Sequence, residues 1–118
     1  GVVPYLTRPA VTETLRFVAS VPGAPVVFDH PEPLASLTDR QRRWHERRAA
    51  SVRRIGEPWI TAFEPAELAE FLAGLGMHVA EDVDARQIAI RWYGAPASTP
   101  VRPGGHVGVA RVDVPRDA

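Results

Sequence analysis

The feature that most limits what this chain can fold into is a short run, Pro25-Val26-Val27-Phe28-Asp29, in which both alternating faces are apolar. A run this short is a poor helix, and apolar residues at both parities leave no face for water. It suits a buried strand of a parallel or mixed sheet with helices packed on it. The rest of the chain supplies those helices and two more strands, so the reading is α/β.

Thr7 is placed to cap a helix with Pro9 in its first turn. Val11, Leu15 and Val18 then recur at i, i+4 and i+7 as one apolar face, which Pro22-Gly23 stops. The chain breaks after the first strand at His30-Pro31-Glu32-Pro33. Thr38 and Asp39 open a second helix, which carries Trp44, Ala49, Val52 and Ile55 among many arginines and ends at Gly56. The third helix has Pro65 at its first position, then Leu68, Phe71, Leu72 and Leu75, and stops at Gly76. Residues 77–83 read as a strand, with Asp84 capping a short helix through Trp92 and Tyr93. Residues 94–105 read as a loop and 107–114 as a last strand.

At 118 residues the chain is one domain, spanning 1–118. Lys+Arg and Asp+Glu both number 14, so no net field draws in nucleic acid or an anionic membrane, and neither is expected as a partner. With no cysteine, disulfides and thiolate zinc sites are excluded. No apolar run approaches the roughly 20 residues of a membrane helix, and no basic-then-apolar leader is present. A cytoplasmic protein is the expectation.

An ordered series of short segments resembles the leucine carboxyl methyltransferase-like family, and its bacterial putative O-methyltransferase branch in particular. Gly1-Val2-Val3-Pro4-Tyr5-Leu6-Thr7 is similar to the segment after that family's fourth strand. Phe28-Asp29 is similar to the close of its fifth strand, where an aromatic residue usually stands at the position of His30. Gly56-Glu57-Pro58-Trp59, then Phe63-Glu64-Pro65 and Glu67-Leu68, resembles the run into the last long helix. Leu75-Gly76-Met77 and Arg91-Trp92-Tyr93-Gly94 resemble the segments before and after the sixth strand. The series covers essentially the whole chain, although no single motif in it is specific.

The resemblance implies the distal half of a Rossmann-like methyltransferase sheet. The last strand would run antiparallel between the strands at 25–29 and 77–83, with helices packed on the sheet. It implies S-adenosylmethionine as cofactor and, as partner, a small-molecule methyl acceptor bearing a carboxylate or hydroxyl. Such enzymes hold the donor on a Gly-rich turn after the first strand and bind its ribose with a carboxylate after the second. Neither device occurs here. The chain is therefore expected to lack the cofactor-binding N-terminal half and to be inactive alone, with Gly1 and Val2 next to the last donor contact. The strand at 25–29 would lose a neighbour and become an apolar edge open to self-association. A non-catalytic interaction domain, using that edge or the Arg-rich helix, is the competing reading.

The substrate-pocket candidates are Tyr5, His30 and Trp59. The Tyr5 phenol either orients the acceptor or packs and bonds a carbonyl. His30 is either a general base or a loop histidine before proline; a carboxylate acceptor, already ionised, needs no base. Trp59, beside Pro58 in a loop, suits an apolar pocket, whereas Trp44 suits the core. Arg40, Arg42, Arg43, Arg47, Arg48, Arg53 and Arg54 form a solvated face, a surface for an acidic acceptor or a partner protein, or, last, a nucleic-acid contact, and the resemblance adds a lid near the acceptor side. The spacing of His45, His78 and His106 points to no metal, and Glu81, Asp82 and Asp84 lack the pattern of a calcium loop.

Overall fold

In the computed structural model the apolar run is the first strand of a three-stranded sheet, β1 (Pro25–Pro31), with β2 at Met77–Val83 and β3 at Gly105–Val112. The structure describes residues 2–31, 34–100 and 105–116. The strand order is β1-β3-β2. Both outer strands pair antiparallel with β3, so they run parallel to each other on either side of it. The expectation of an α/β chain whose last strand lies reversed between the other two is met. No strand pair among the described residues is parallel, so the sheet itself is antiparallel and open.

Four α-helices flank the sheet among the described residues: α1 (Arg8–Ala19), α2 (Asp39–Arg54), α3 (Pro65–Ala73) and α4 (Ala85–Tyr93). Their starts follow local chemistry. Thr7 Oγ1 accepts the Ala10 N–H ahead of α1. Thr38 and Asp84 each form a reciprocal capping box, with Gln41 and Gln87 three residues on. Pro65 occupies the first turn of α3, where a missing N–H costs nothing. Gly94 ends α4 with φ 63°, a left-handed conformation that glycine adopts without Cβ strain. No helix of the described residues is long and apolar enough to cross a membrane.

One face of the sheet is the core. Val11 and Leu15 of α1, Leu68 and Leu72 of α3, and Phe63 just before α3 pack on Met77, Ala110 and Val112. Helix α2 contributes no buried residue. Its half-buried residues include Trp44, Ala49 and Val52, whereas Ile55 is exposed. The opposite sheet face carries Val27, Asp29, Val107 and Val109, and Val27 is 67% exposed. Strand β1 runs two residues past its expected end, because Pro31 still pairs with Gly105 across the ladder. Strand β3 begins and ends two residues earlier than expected.

Gly108 sits on the core face opposite Phe28, and a Cβ there would lie 3.0 Å from Phe28 Cζ. A side chain in a strand gains about 0.5–1 kcal/mol over glycine, but overpacking costs about 1–3 kcal/mol. Overpacking wins. Gly108→Ala should lower stability by roughly 1 kcal/mol, measured by urea unfolding. In a Phe28→Leu background the same substitution should become neutral or stabilising.

Candidate functional site

The candidate site grows from the register of β1 and β3, which sets His30 directly opposite His106. Residues opposite one another in an antiparallel pair share a face. These two therefore fall on the core face, one row beyond Phe28 and Gly108. Their rings stack tilted by 32° with centroids 4.9 Å apart.

The third member, Asp82, reaches that face through an irregularity in β2. The register runs Val79 to Ala110, then Glu81 to Val109 and Asp82 to Gly108, with a bulge at Ala80. Plain alternation would set Glu81 beside Gly108 and turn Asp82 to the opposite face. The bulge exchanges them.

The Asp82 carboxylate can only accept, so each imidazole nitrogen facing it carries the proton. His30 Nε2–H donates to Oδ1 at 3.0 Å and His106 Nδ1–H donates to Oδ2 at 3.2 Å. The His30 side chain is fully buried, whereas those of His106 and Asp82 are 12% and 20% exposed. A partly buried carboxylate needs such donors to offset lost hydration. His30 Nδ1 is buried with no hydrogen-bond partner among the described residues. The donor atoms of the three side chains all lie within 4.8 Å of one another, close enough to hold a metal ion. A shallow cleft of about 330 Å³ between β2 and α4 borders Asp82, with Glu81 and Arg91 on its walls.

The residues singled out from sequence fall into two groups. Tyr5 lies in a short 3-10 helix (Val3–Tyr5) and is 38% exposed. Trp59 is half-buried, and its neighbour Ile60 donates its N–H to the Pro4 carbonyl at 2.7 Å. Thr61 reinforces the join through its hydroxyl, which donates to the Leu6 carbonyl. The backbone therefore brings the segments bearing Tyr5 and Trp59 side by side. His30 is a fully buried strand residue rather than a loop histidine. Val2 is exposed, and Gly1 lies outside the described residues. Neither Asp82 nor His106 stands out from sequence, since positions 30, 82 and 106 show no ligand spacing. The one usable signal is the expected strand order, which already makes the ends of the first and last strands neighbours.

Trp59 also meets α2. The His45 ring lies 5.2 Å from it, and the Arg48 guanidinium lies over Trp44 at 4.9 Å. Desolvation lowers the His45 pKa and Arg48 lowers it further, against the opposing pull of Glu46.

Compared with protein-family models, with curated proteins and with solved structures, the chain matches none.

Because folding depresses the His45 pKa, its contribution to stability is present above the ordinary value near 6.5 and is lost as pH falls through the folded value. An imidazolium beside an indole quenches it, so Trp fluorescence should step down with a midpoint below about 6.5. His45→Gln should abolish the step. A midpoint above that value would contradict the partial burial of the ring against Trp59.

Proposed function

We propose that this chain forms the acceptor side of an S-adenosylmethionine-dependent O-methyltransferase whose substrate is a small metabolite carrying a carboxylate or hydroxyl. The observation that supports this reading is the strand order. A reversed strand between two mutually parallel ones is the arrangement expected for the distal half of such a sheet, in the chain order the sequence resemblance calls for. Because one fold serves many functions, the reading also needs a site. The segments bearing Tyr5 and Trp59 are joined through the Pro4 and Ile60 backbones, and in this reading their phenol and indole receive the acceptor. An ionised carboxylate acceptor needs only to be oriented and kept from water.

The residues described do not fit the donor. A nucleotide cradle is a strand–glycine–helix turn. The glycines with positive φ (Gly23, Gly56, Gly76 and Gly94) all follow helices rather than strands. The links from β1 to α2 and from β2 to α4 contain no glycine. In the proposed enzyme the donor is held by polypeptide other than these residues, and no donor-binding role is given to them.

Calorimetry of the chain with S-adenosylmethionine should therefore give no binding heat; micromolar affinity would overturn this division of labour. When the chain is joined to a donor-binding half, Tyr5→Phe should lower turnover by about 10- to 100-fold. Unchanged turnover would remove Tyr5 from the site.

A second reading, a non-catalytic interaction domain, is favoured by a different observation. Helix α2 buries none of its side chains, and β1 is an edge strand with Val27 exposed on an apolar face. Edges of this kind pair with other chains unless they are blocked. Sedimentation velocity should show reversible association of the wild type, weakened by Val27→Lys. A strictly monomeric wild type would rule out the edge as an interface.

A further inference from the structure

We propose that His30, Asp82 and His106 form a binding site for a divalent transition-metal ion, with zinc the best match. The donor set is two imidazole nitrogens and one carboxylate oxygen, all mutually within 4.8 Å. Nitrogen and oxygen donors of this borderline type suit zinc, cobalt or iron, while magnesium and calcium favour all-oxygen shells. With both rings neutral and the carboxylate ionised, the set carries a single negative charge toward a dication.

The geometry is close to that required. Zinc holds such donors at about 2.0–2.2 Å, so tetrahedral ligands stand roughly 3.3 Å apart. His30 Nε2 lies 3.0 Å from Asp82 Oδ1 and His106 Nδ1 lies 3.2 Å from Oδ2, so each imidazole already stands at a ligand-like distance from one oxygen of the carboxylate. On binding, each ring presents an unprotonated nitrogen to the ion, its proton moving to the other ring nitrogen. The remaining edge, between the two imidazoles, is at most 4.8 Å. It closes by no more than roughly 1.5 Å, within the reach of small ring rotations.

Three further observations favour an ion over a purely hydrogen-bonded cluster. His30 makes one hydrogen bond in place of the two its ring can form, and the unpartnered Nδ1 is fully buried. Buried polar atoms are rarely left so, and a ring held by one bond can turn toward a cation without breaking another. The backbone positions are rigid: two ligands face each other across a ladder and the third is aimed by a bulge, a device concentrated at functional sites. The Asp82 and His106 side chains are 20% and 12% exposed, so the cluster is open to solvent on one side. Three protein ligands leave a fourth position for water or for an oxygen of a bound molecule.

The probe is Co²⁺, whose visible absorption reports tetrahedral nitrogen and oxygen ligation, followed by displacement with Zn²⁺. A stoichiometric visible band and a melting temperature that rises with metal concentration are expected. Asp82→Asn, which keeps the shape of the side chain, and His106→Gln should each weaken binding by more than about 100-fold. His78→Gln, which alters an exposed histidine paired with Asp113, should leave binding unchanged. Should His106→Gln fail to fold by circular dichroism, Asp82→Asn decides. Absence of the band, its survival in Asp82→Asn, or its loss in His78→Gln would overturn the site.

Discussion

Every hydrogen bond between strands in this sheet passes through β3. The outer strands pair with it and not with each other, and its last residues are clamped at both turns. Val112 exchanges backbone bonds with Gly23 and Ala24 on the β1 side, while Asp113 N–H donates to the Gly76 carbonyl on the β2 side. The core depends on the same strand, because Ala110 and Val112 lie between the side chains that α1 and α3 bring down. Loss of β3 would separate β1 from β2 and uncover the face that both helices bury. These contacts are long-range in sequence, so loop-closure entropy must be met before pairing returns any stability.

The histidine–aspartate cluster is a by-product of that arrangement refined by one inserted residue. Register alone faces His30 with His106, since both follow the row of Phe28 and Gly108. It takes the bulge at Ala80 to bring in Asp82, whose shorter side chain meets both rings, and to send Glu81 outward, where it pairs with Arg91. Gly108 matters for the same reason: without a side chain it leaves the Phe28 ring room beside the cluster. The proposed metal site belongs to the interior end of β1, and the proposed acceptor-side residues flank the join between the N-terminal segment and residues 59–61.

Much of this architecture is legible in the amino-acid sequence. Helix starts follow residue chemistry at Thr7, Thr38, Pro65 and Asp84, because a cap is a local hydrogen bond between near neighbours. The faces of α1 and α3 follow apolar spacing. Ile55, expected within α2, falls at its C-cap, past the last helical residue, and is exposed. The extent of β1 departs too, since two prolines after His30 signal a break; an edge strand tolerates proline where its missing N–H would face outward. That one difference also hides the site, because it makes a buried strand histidine read as a loop residue. The bulge is invisible for a deeper reason. It reverses side-chain parity without any glycine or proline to announce it, and it is defined only by the partner strand. Tyr5 and Trp59 stand out as individual residues, but their proximity depends on a backbone bond between Pro4 and Ile60 that no local pattern encodes.

The position of β3 in the chain has a consequence for how the protein is made. Synthesis runs from the N-terminus, so β1 and β2 emerge from the ribosome well before the strand that joins them. Meanwhile both strands wait with both edges unsatisfied, a state open to the wrong partner in a crowded cell. Of the early elements, α2 with its arginines and no buried side chain is the one least changed by that wait. Only when the closing strand arrives do the two outer strands gain a shared partner.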